Sequence, residues 1–130
     1  MKIKINNLTW EIKLISNENI SQVENSSNKS ITPVVPTTDF DPCGVTFRSG
    51  LTIFINDALN DDLFKRTLYH ELTHAYCWSY GLTQFAAFSE ENLCDFIETH
   101  IDGIYQLTNK IFNNLILEKH KRDKNYEKYK

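Results

Sequence analysis

The residues with most chemistry in them are His70, Glu71 and His74, in the run His-Glu-Leu-Thr-His. On an α-helix, positions four apart lie about 40° from one another around the axis, so the two imidazoles leave consecutive turns side by side and can meet one metal ion. Zinc takes neutral imidazole nitrogens at about 2.0–2.1 Å in a tetrahedral shell, and a catalytic zinc keeps one position for water. Glu71 lies beside this stripe, close enough to reach such a water without being a ligand, which suits it to act as a base. Zinc brings the pKa of its water towards about 7. The carboxylate can then take the proton as hydroxide attacks a peptide carbonyl, and return one to the leaving amine. The plain alternative is two histidines without a metal. Against it stands the local pattern, an amphipathic helix in which Leu63, Leu68, Leu72, Ala75 and Tyr76 can face a core while the histidines face elsewhere.

A zinc held by two histidines needs a third protein ligand, and the run Ser89-Glu90-Glu91-Asn92-Leu93-Cys94-Asp95 offers one. Glu91 and Asp95 are four apart and share a helix face. Glu91 can therefore bind the metal while Asp95 hydrogen-bonds the outer nitrogen of a ligating histidine. Glu90 competes, since a first-turn acid also favours the helix dipole. Cys77 follows His70 by seven residues and Cys94 follows Glu91 by three, so either thiol could approach the metal, although small buried thiols are the commoner fate.

These residues resemble a gluzincin, the branch of zincin metallopeptidases in which His-Glu-x-x-His is followed on a second helix by Glu-x-x-x-Asp. The order Tyr69 to Tyr76, Tyr80-Gly81, Phe88 to Glu91 and Cys94-Asp95-Phe96 is most similar to minigluzincins and to small metallopeptidase-like proteins of phages and prophages. It is more distantly similar to the repressor-cleaving zincins of the ImmA/IrrE type. The resemblance covers residues 44–104. It implies a zinc-dependent metalloendopeptidase with a Zn²⁺ cofactor, His70, His74 and Glu91 as ligands, Glu71 as catalytic base and Asp95 behind a histidine. It also implies that the strand before the active-site helix, residues 51–56, rims the cleft, so that a peptide or protein substrate binds as an added strand. Larger gluzincins use a later His or Tyr on the tetrahedral intermediate. Here His100 falls on the face opposite Glu91, and His120 lies roughly 40 Å along the helix. Tyr105, Tyr126 and Tyr129 are the remaining candidates. A catalytically silent or latent zinc-binding regulatory protein is the alternative.

The elements that must position these residues can be read in outline. Residues 2–15 alternate apolar and polar around Asn6-Asn7, a hairpin with one buried face, and 45–48 and 51–56 around Ser49-Gly50 form a second. Residues 17–39 are rich in Ser, Asn, Thr and Pro and read as a mobile polar loop, with a third strand conceivable at 20–23. Asn60 caps a helix over 61–80 that stops at Gly81; Ser89 opens a second, apolar at three- and four-residue steps through Ile116, with a bend expected at Gly103. The expectation is α+β: one minimal zincin-like domain over 1–118, its small, mostly antiparallel sheet packed on the active-site helix and the second, glutamate-bearing helix. A basic, fraying tail follows over 119–130.

A chain of 130 residues suits a single domain, and a net charge of −3 argues against nucleic acid as a partner, the tail being the one place it could bind. Three cysteines form no disulfide framework, and no stretch approaches a signal peptide or membrane span. A cytoplasmic protein, in a bacterial host if phage-encoded, is expected.

Overall fold

In the computed structural model the described residues are 1–20, 43–82 and 89–128, with side chains through Arg122. The first hairpin forms as its alternation requires. Strands β1 (Lys2–Ile5) and β2 (Leu8–Ile15) are antiparallel, and Asn6 and Asn7 both adopt the left-handed conformation, which asparagine tolerates better than most residues. The second hairpin pairs β3 (Gly44–Phe47) with β4 (Thr52–Asn56). Its positive φ falls on Leu51 and not on Gly50.

The two hairpins join through a parallel pairing of β2 with β4, giving one mixed sheet in the order β1-β2-β4-β3. The expected α+β class is thereby met. β4 is an interior strand, hydrogen-bonded on both sides, so the expectation that 51–56 rims the cleft is corrected: among the described residues the edge strands are β1 and β3. The cause is β2, which takes the flank of β4 that a rim strand would leave open.

Helix α1 (Asp61–Ser79) begins where Asn60 Oδ1 accepts from the Leu63 amide at 2.9 Å, and Asp61 and Asp62 complement its positive end. It ends at Tyr80, and Gly81 turns the chain out with φ +71°. The far end is tied to the first hairpin: Trp10 Nε1 donates to Ser79 Oγ and Asn6 Nδ2 to the Ser79 carbonyl, both at 2.9 Å. Helix α2 (Glu90–Lys128) starts with Ser89 Oγ accepting from the Asn92 amide at 3.1 Å.

One core unites the layers: Trp10 and Ile12 of β2, Ile53 and Ile55 of β4, Phe64, Leu68, Leu72 and Ala75 of α1, and Ile104, Ile111 and Leu115 of α2. The helices run antiparallel, with Phe64 against Phe112, Tyr69 against Tyr105 and Tyr76 against His100. Gly103 makes room for Tyr76 and does not break the helix: a Cβ there would stand 3.0 Å from the Tyr76 hydroxyl.

Three further expectations change. α2 continues through Lys128, so its backbone does not fray at 119. Lys119 lies over the Phe64 ring and donates to the Leu59 carbonyl, and His120 lies 3.8 Å from Asp61; these contacts fold the start of the basic segment back onto the beginning of α1. Ile20 is buried in a helical turn over 17–20, not in a strand, while 21–23, most of the polar loop, the side chain of Tyr126 and all of Tyr129 lie outside what is described. Leu93, Ile97 and Ile101, at four-residue steps, are exposed on a face of α2 turned away from α1, which meets Phe96, His100 and Ile104 instead. Among the described residues no helix is long and apolar enough to cross a membrane.

Candidate metal centre

α1 has three faces. One packs on β3 and β4 through Phe64, Leu68, Leu72 and Ala75; a second meets α2 through Tyr69 and Tyr76; the third carries His70 and His74. The His70 and His74 Nε2 atoms stand 3.2 Å apart, with their rings nearly perpendicular at 73°. Two nitrogens at about 2.05 Å from one tetrahedral ion are themselves about 3.3 Å apart, so the pair already has the spacing of two zinc ligands. Burial, above all, lowers the His74 pKa; the carboxylate of Glu71 opposes this, while His70 and Arg48 add to it. The net effect favours the neutral imidazole, which is the form that binds a metal.

Glu71 is 6% exposed and its Oε2 accepts from Thr46 Oγ1 at 2.5 Å. The same hydroxyl is 3.2 Å from the Glu71 carbonyl, but with one proton to give it serves the nearer carboxylate. Gly44 explains how the edge strand comes so close. A Cβ there would lie 2.8 Å from Thr67 Cγ2 and 3.0 Å from Glu71 Cγ, a space that only glycine leaves free. Neither Thr46 nor Gly44 stood out in the sequence, where the glycine reads as a turn residue after Pro42-Cys43 and the threonine as one of several in a strand.

At the other end of the pair Arg48, beside the turn between β3 and β4, lies 5.5 Å over the Trp78 ring. Its charge bears on His74 and Cys77, but burial dominates at Cys77 and raises the thiol pKa, so this sulfur is not a ready thiolate. All three cysteines are free, and Cys94 is exposed.

Glu91 and Asp95 are exposed on the first turns of α2, as is Glu90. Tyr76 meets His100, and Glu91 precedes His100 by nine residues, about 14 Å along a continuous helix. His70 also points about 100° round the axis from Tyr69, on the face α2 covers. The helix register thus keeps Glu91 and Asp95 apart from the histidine pair, and among the described residues no set of three His, Cys, Asp or Glu side chains converges. His100 packs among Tyr76, Tyr80 and Phe96, and burial lowers its pKa; Tyr105 stacks on Tyr69. Both pack on tyrosines of the α1 face that meets α2.

No family model, no curated protein and no solved structure matches the chain.

Proposed function

We propose that the chain is a zinc-dependent metallopeptidase of the gluzincin kind in which His70 and His74 hold the ion; Glu91, the third ligand the resemblance implies, stands apart from the pair in this structure. The observation that carries this reading is the 3.2 Å approach of two Nε2 atoms beside a buried carboxylate, a donor set whose spacing and chemistry fit zinc. When bound, the ion would supply a polarised water and an electrophile for a peptide carbonyl. Glu71 would take the water's proton and pass it to the leaving amine, with Thr46 fixing the carboxylate's orientation. The edge of β3 beside Glu71, unpaired among the described residues, would hold an extended substrate through main-chain hydrogen bonds. With all cysteines unpaired and the chain acidic, a reducing cytoplasm suits it, and its partner is a peptide or protein rather than nucleic acid.

Replacing Glu71 by Gln keeps the shape and removes the base. Zinc content should stay at the wild-type level while the cleavage rate falls by about 10²–10⁴-fold; cleavage at the wild-type rate would exclude this role. The distance of Glu91 from the pair favours a second reading, a zincin-like protein that is latent or cleaves nothing. Under that reading wild-type protein with bound zinc leaves peptides intact.

A further inference from the structure

We propose that the cleft beside His70 and Glu71 selects substrates with an acidic residue next to the bond that is cut, and that Arg66 binds this residue. The inference rests on the peptidase reading and adds a substrate class to it. The cleft is a hollow of about 430 Å³ between Cys43 and Gly44 at the sheet edge and Leu63, Arg66, His70 and Glu71 on α1. Arg66 stands one turn before His70 on the same helix face, and its side chain is exposed. It forms no ion pair among the described residues, in a chain with 17 acids against 14 Lys and Arg.

The surrounding charges agree. Asp62, one turn earlier, lies in the adjoining hollow with Arg66 but makes no ion pair with it, and Asp61 is turned to His120. Among the described residues that line the cleft the only acid is Glu71, which is buried and bonded to Thr46. At the far end of the pair lies Arg48, so a guanidinium stands on either side of the histidines. Arg48 already lies over an aromatic ring, whereas among the described residues no acid pairs with Arg66. A peptide added along β3 turns a side chain to the same face about every 6.6–6.8 Å. One such side chain would come to Arg66 when the backbone lies over Glu71. The planar guanidinium fork matches a carboxylate in two parallel hydrogen bonds, which an amide or a lysine ammonium does not reproduce.

The test uses zinc-loaded Glu71→Gln protein and short fluorescent peptides that are identical except for Glu or Gln at one position, moved along the sequence. At one position Glu should bind about tenfold more tightly than Gln. Arg66→Ala should abolish the difference, and Arg66→Glu should transfer the preference to a Lys peptide, with zinc content unchanged in both. Equal binding of Glu and Gln peptides at every position, or a preference that survives Arg66→Glu, would overturn the proposal. Wild-type protein is then given the same peptides. Cleavage of the preferred Glu peptide supports both readings; an Arg66-dependent binding preference without cleavage overturns the peptidase reading and leaves acidic recognition standing.

Discussion

The two helices prepare the site to very different degrees. On α1 the sheet holds one candidate side chain, Glu71, buried against Gly44 and bonded to Thr46, and the imidazoles of His70 and His74 stand 3.2 Å apart on successive turns. On α2 the first turns, with Glu90, Glu91 and Asp95, are exposed, while the same helix further on buries Ile104, Ile111 and Leu115. Preorganisation therefore comes from the contact between α1 and the edge strand. The second helix earns its stability at one end and offers its acids at the other, beyond the last turn of α1.

If that contrast is right, equal truncations along α2 should have unequal effects. Ile111→Ala removes a fully buried side chain and should destabilise the protein by about 2–5 kcal/mol, whereas Ile97→Ala should stay within about 0.5 kcal/mol, both read by denaturant unfolding. A large loss at Ile97 would mean that this exposed face of α2 is packed against something else. The α1 side can be broken at its tightest point. Gly44→Ala drives a methyl group against Thr67 and Glu71, and should cost about 1–3 kcal/mol in the same unfolding assay and slow any cleavage. A smaller change is Thr46→Val, which keeps the shape and frees the carboxylate. It should lose about 1 kcal/mol of stability and leave zinc content unaltered; loss of zinc would make Thr46 a support of the metal rather than of Glu71.

What the sequence made legible follows from how local each signal is. Both hairpins, the caps at Asn60 and Ser89, the stop at Gly81 and the pairing of His70 with His74 depend on residues a few positions apart, and all formed as expected. The parallel contact of β2 with β4 joins positions some forty residues distant, and no periodicity within either strand announces it. For that reason an edge strand was expected at 51–56, whereas among the described residues the edge strands are β1 and β3. Thr46 became a partner of Glu71 only through this arrangement. The Glu91–Asp95 step was readable as a helix face, but which turn of α1 it would oppose depends on the register between helices. That register is set by Gly103 against Tyr76 and Phe112 against Phe64, contacts that sequence spacing does not encode.

The central claim is that His70 and His74 form the heart of a zinc site, and elemental analysis of purified protein tests it most directly. The account predicts about one zinc per chain, lost in His74→Ala and in His70→Ala while the fold, followed by circular dichroism, persists. Protein free of zinc after purification with excess zinc, or zinc retained in both variants, would contradict it.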